Sequence, residues 1–204
     1  MDNATLELAK IVLGPLVTAL FAWLVGNRIS ANWTLRQKHR EYSLSVGTEF
    51  YQVYGEFFAT WKLANYAFRH ERPDITDEFI QGLIARSAAL EARIEALLLR
   101  MASELRLEAP EARTLGLYRQ AVQQLRHSII RRQQLDFFGA GQAKYEFYKQ
   151  LSVSVGDLVR ELGERPRPTR ERAAAQMTEI TSSKWEAEWL RMFPGPQQAM
   201  DQAA

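Results

Sequence analysis

Residues Ile11 to Asn27 read IVLGPLVTALFAWLVGN, 17 residues without a charge between Lys10 and Arg28. At about 1.5 Å per helical residue this run covers roughly 25 Å, slightly less than the hydrocarbon layer of a bilayer. Lys10 and Arg28 can snorkel outward and lengthen the span. Trp23 and Trp33 sit toward its C-terminal end, where interfacial aromatics gather. A cleaved signal peptide fits poorly. The preceding MDNATLELAK carries Asp2 and Glu7 against one lysine, and no A-x-A cleavage pattern follows the run. A buried core helix is the competing structural reading. The completeness of the apolar run favours a transmembrane helix over residues 11–28, with residues 1–10 as a short outer tail.

The flanks give the orientation. Arg28, Arg36, Lys38 and Arg40 follow the run, and no acid appears before Glu41. The positive-inside rule then places the C-terminal side in the cytoplasm, with these four cations suited to anionic lipid headgroups. Within the run Gly14, Thr18, Ala22 and Gly26 recur every four residues. Such a ladder lets membrane helices approach closely and predicts a homo-oligomer. Pro15 starts or kinks the helix.

The remainder, residues 29–192, reads as an all-α bundle of about five helices with no hairpin signal and no internal repeat. The first helix is expected to run on to about His70. Phe50, Tyr54, Phe57, Phe58 and Trp61 share one face of it, and eight of the 22 aromatic residues lie between Phe50 and Phe68. With only Lys62 interleaved, this stripe reads as core rather than as a platform for nucleic-acid bases. Pro73 and Asp74 mark a turn, with Asp74 the expected N-cap of a second helix reaching about Leu107. Its Ile80, Leu83, Ser87, Leu90, Ile94, Leu97 and Met101 form a heptad-like seam for the bundle interior or for another subunit.

Ala109–Pro110 opens a third helix with an apolar face of Leu115, Tyr118, Val122, Leu125 and Ile129. A fourth carries Tyr145, Tyr148, Leu151, Val155, Leu158 and Leu162, with Gly163 as C-cap. ERPRPT, near 163–169, reads as a linker, and Thr169 caps a fifth helix bearing Met177, Ile180, Trp185 and Trp189. Residues 193–204 read as a flexible tail.

No constellation for catalysis appears. The chain has no cysteine and three histidines, His39, His70 and His127, in no metal-ligand spacing. Gly-rich phosphate loops and G-x-S-x-G are absent. Glu91 and Glu95 lack the E-x-x-H partners of a di-metal bundle and read as surface charges beside Arg93 and Arg100. No catalytic residue, metal or cofactor is therefore expected. The net charge is +2, which does not favour nucleic acid as a partner. Arg126, Arg131 and Arg132 remain as a candidate protein or RNA surface, and the linker arginines read as solvated.

The anchor Ile11–Asn27 with its Gly14, Thr18, Ala22 and Gly26 ladder, followed by the aromatic helix Phe50–Phe68, resembles small membrane effectors of bacterial antiphage systems. Among these are the membrane proteins encoded beside Cas13-type CRISPR nucleases. The resemblance implies an inner-membrane protein that forms a pore or otherwise perturbs the membrane. Some of those relatives have bodies like the HEPN helical family. The Arg-x4–6-His nuclease signature of that family is not found before His39, His70 or His127. The competing expectation is a membrane-anchored interaction module that recruits a cytoplasmic partner.

Overall fold

The structure, a computed structural model, describes residues 3–69, 75–135, 142–162 and 164–193. Along α1 its side chains are described from Leu20, except at positions 24, 31, 32, 35, 39 and 69. Every regular element among these residues is helical: α1 Asn3–Arg69, α2 Asp77–Glu104, α3 Ala109–Ile130, α4 Ala143–Arg160, α5 Arg170–Ile180 and α6 Lys184–Met192. The chain divides into two compact units, Met1–Tyr42 and Ser43–Ala204.

In the second unit, the helix starts follow from local chemistry. Thr76 takes the N-cap of α2, its hydroxyl accepting from the Phe79 N–H, with Asp77 and Glu78 against the positive helix end. The expected cap Asp74 lies outside the described residues, as does Gly163. Glu108 precedes α3, and its N–H donates to Glu111 Oε2 at 2.8 Å. Thr169 caps α5 by accepting from the Arg172 N–H. The expected fifth helix is two. Thr181 ends α5, its hydroxyl bonding back to Met177 O, and Ser183 precedes α6. Three successive hydroxyl residues, Thr181, Ser182 and Ser183, offer the backbone partners outside the helix ladder, and the chain turns there.

The seam of α2 faces inward. All seven of Ile80, Leu83, Ser87, Leu90, Ile94, Leu97 and Met101 are buried, so it is spent inside this bundle rather than on another subunit. Helix α3 packs against α2, α4, α5 and α6. Its Gly116, Leu117, Gln120 and Ala121 are buried in addition to the expected apolar face. Small side chains there let neighbours close in. A Cβ on Gly116 would overlap the Trp185 indole of α6.

The core stripe of α1 is Val46, Phe50, Val53, Phe57, Thr60, Ala64 and Ala67. Tyr54, Phe58 and Trp61 flank it, half-buried. The aromatics at i+4 and i+8 rotate off the stripe, because a steady 3.5-residue step holds the face that meets the bundle. Tyr148 of α4 gathers the rings. Phe57 lies 4.8 Å from it, Tyr118 5.7 Å and Tyr54 6.3 Å, each near parallel.

Candidate functional site

The described part of the first unit has an unusual surface. Leu20, Phe21, Trp23, Val25, Ile29 and Trp33 are all exposed, Trp23 by 66% and Trp33 by 70%. At 100° per residue these six positions surround the helix, with no gap wider than about 100°. A helix in water shows an apolar stripe opposed by charge, whereas an apolar circumference belongs in a protein core or in lipid. Among the described residues, nothing covers these side chains. Arg28, Arg36, Lys38 and Arg40 are exposed as well. Apolar and basic residues are thus sorted along the helix rather than around it: apolar positions dominate to Ile29, and cations dominate from Arg36. Gln37 Nε2 donates to Glu41, the first acid beyond the basic group.

Of the expected packing ladder, Ala22 and Gly26 are exposed, and open space lies over Gly26. The side-chain positions of Gly14 and Thr18 lie outside the described residues. Among the described residues, no helix is long and apolar enough to cross a membrane. The transmembrane expectation for residues 11–28 therefore draws no support from a span of that kind.

The charges of the body have a different use. Glu49 and Glu56 of α1 meet Arg100 and Arg93 of α2, seven residues apart on both helices and running antiparallel. Glu91 accepts from Arg126 Nε at 2.6 Å and from Gln123 at 3.0 Å, and Glu95 lies 3.4 Å from Arg119. Glu91 and Glu95 are thus cross-helix partners of α3, not surface charges beside Arg93 and Arg100. Two rows of ion pairs fix the registers of α1 on α2 and of α2 on α3.

The three arginines offered as a partner surface are dispersed by this wiring. Arg126 is held by Glu91. Arg132, in the left-handed region at φ 52°, pairs with Asp77, and Arg131 is exposed at the end of α3. His127 on the same helix is half-buried; His39 and His70 lie outside the described side chains.

The expected linker is pinned at several points, although Arg160, Arg167 and Arg170 stay exposed. Arg165 pairs with Glu111 at 2.8 Å and also with Glu161, Arg167 pairs with Glu104 at 2.7 Å, and Arg172 donates to Leu107 O. Buried Gln176 completes the connection. Its amide donates to Ala102 O and Leu105 O at 2.7 and 2.8 Å, and its carbonyl accepts from the Leu107 N–H. Asn65 does the same for the segment after α3, accepting from the Leu135 N–H and donating to Leu135 O. Sequence reasoning missed both amides, since neither lies in a motif.

No acid–base site emerges from the buried tyrosines. Burial pushes the Tyr118 hydroxyl up to about 12, and Tyr148 is raised by burial and then by Tyr118. Both are neutral throughout the ordinary pH range. Ser152 donates to the Tyr148 carbonyl. No group of three or more His, Cys, Asp or Glu among the described residues is placed to hold a metal ion. No protein-family model, no curated protein and no solved structure matches the chain.

Proposed function

We propose that this protein is a membrane-anchored, oligomerising helical protein that perturbs the integrity of a bilayer. The observation that carries the reading is the apolar circumference of the first unit, Leu20 to Trp33, succeeded by exposed Arg36, Lys38 and Arg40. Lipid is the solvent in which such a circumference costs least, and basic residues at its end meet anionic headgroups. The anchor is residues 11–28, N-terminus outside and body inside, in a bacterial inner membrane. Among the described residues the charged and amide side chains of the body engage one another, which supports a physical effect on the cell: a pore or a thinned bilayer, of use as an antiphage effector.

Dye-loaded vesicles containing anionic lipid test this. The full-length protein is expected to insert and release the dye, and the Gly14→Leu/Gly26→Leu variant to insert but release less. Stable insertion without leakage at any protein density would replace the pore with an anchored module that holds a partner at the membrane. Failure to insert at all would end both readings.

A further inference from the structure

A hollow of about 300 Å³ lies between α1 and α4, wholly within the second unit. The two helices run antiparallel along it. Tyr54 lies parallel to Tyr148, Phe50 faces Gly156, Gly47 faces Val159, and the Ser43 hydroxyl donates to Leu162 O. Phe50, Tyr51 and Tyr54 form an aromatic wall. Phe50 and Tyr51 meet edge-on at 5.5 Å, and Phe50 and Tyr54 are tilted at 6.4 Å. On α4, Ser152 and Gly156 line the hollow, and Lys149, Asp157 and Arg160 share the same side of the helix. Tyr51 and the α4 residue Val153 are exposed, so the hollow opens to solvent.

Gly156 adds to this space without being required by the fold. It sits inside α4, where glycine weakens a helix relative to alanine. A Cβ there would stand 3.7 Å from Phe50 Cε1, an ordinary contact. Gly116 differs, because Trp185 already occupies the place a Cβ would take. At Gly156 the helix gives up stability and the hollow gains room.

We infer that this hollow is a binding site for a small aromatic monoanion, such as an aryl carboxylate. Ligand pockets begin near 300 Å³ and combine apolar and aromatic walls with a few polar groups. The three rings present faces and edges, the surroundings in which a flat ring gains more than an acyl chain does. The charge of the ligand follows from α4. Lys149 and Arg160 stand against Asp157, one positive charge in excess. Arg160 is held by Asp157 at 3.1 Å. Lys149 is engaged more loosely, its Nζ 4.0 Å from Glu146 and 5.1 Å from the centre of the Tyr145 ring. Lys149 is therefore the ammonium that meets the carboxylate. A cationic ligand would face two positive side chains, and an uncharged one would leave Lys149 without use. The inference is independent of the membrane reading, since every residue in it belongs to the second unit.

2-Naphthoate is the probe. Full-length protein, in nanodiscs of zwitterionic lipid or in buffer if it does not insert, is dialysed against it, with the same medium without protein as the blank. One saturable site per chain is expected, with a Kd on the order of 100 μM for a ligand of this size. 2-Naphthylmethylammonium has the same shape and the opposite charge, and should bind about tenfold more weakly. Decanoate keeps the charge but lacks the ring, and should bind about fivefold more weakly. Lys149→Glu should weaken 2-naphthoate about tenfold and reverse the preference between the two naphthyl probes. Gly156→Ala should raise the unfolding temperature yet weaken 2-naphthoate about fivefold, which separates filling the hollow from damaging the fold. Absence of saturable binding overturns the inference, and so does equal binding of the cation or of decanoate. Unchanged 2-naphthoate affinity in either variant overturns it as well.

Discussion

The stretch from Leu20 to Trp33 and the helix α2 are both rich in aliphatic residues, and they use them in opposite ways. On α2 the seven seam residues from Ile80 to Met101 are all buried, while Arg86, Arg93 and Arg100 recur every seven residues toward α1. In the first unit the apolar residues surround the helix and remain exposed. The difference separates a seam covered by the rest of its own body from an apolar surface that nothing among the described residues covers. Within the body, several carboxylates and guanidinia are paired across helices, and the buried amides Asn65 and Gln176 close their own turns. Most of the exposed large apolar side chains lie on α1.

The largest way to break this contrast is to spoil the internal wiring. Gln176→Leu keeps the volume but strips the partners from Ala102 O, Leu105 O and the Leu107 N–H. Each buried group left bare costs about 1–3 kcal/mol, so the body should lose on the order of 3–5 kcal/mol. Denaturant unfolding would show it, and a loss below about 1 kcal/mol would mean that water replaces the amide.

Gly116→Ala comes next. The methyl must displace Trp185, an overpacking cost of about 1–3 kcal/mol, visible as a red-shifted indole emission together with a lower midpoint. Unchanged stability would show that α6 yields freely to α3.

Alkaline pH probes the tyrosine cluster. A hydroxyl raised in the fold stays protonated while the unfolded chain ionises near pH 10. Stability is therefore fully present below pH 10 and lost as pH rises toward 12. For Tyr118 alone, the rise from 10.0 to about 12 corresponds to a loss of about 3 kcal/mol across that window. Tyr118→Phe should flatten that part of the curve. A wild-type midpoint that stays constant across the same window would contradict the burial of the cluster.

The smallest effect sharpens the ion-pair register. Glu49 with Arg100 and Glu56 with Arg93 set an antiparallel step that places position 63 opposite Arg86, yet Leu63 is there, 40% exposed. Leu63→Glu should add a third rung and gain a few tenths of a kcal/mol at low salt, fading as salt rises.

Much of the body is legible in the sequence because its signals are local and periodic. Seven positions from Ile80 to Met101 keep one spacing, and only a buried seam does so. Pro110 and Thr169 announce helix starts through their own backbone chemistry. The unread features depend on residues far apart in the chain. Nothing near Gln176 states that it will meet Leu107, 69 positions earlier. Arg126 reads as part of a basic cluster until Glu91 is brought beside it. ERPRPT has a linker's composition, yet Glu104 and Glu111 hold its arginines. Thr181-Ser182-Ser183 is a local break, and the five-residue step from Ile180 to Trp185 marks it between steps of three and four.

The central claim is that the apolar circumference around Trp23 faces lipid while the body folds on its own wiring. Alkaline carbonate extraction of membranes from cells expressing the full-length chain tests it most directly, comparing wild type with Leu20→Arg/Val25→Arg. An arginine costs about 2.5–3.5 kcal/mol near the middle of a span, where Leu20 lies, and less toward the end at Val25. Wild type should stay in the membrane pellet, and the double variant should be released with the unfolding midpoint of its body unchanged. Recovery of wild-type protein in the carbonate supernatant, or retention of both proteins alike, would contradict the claim.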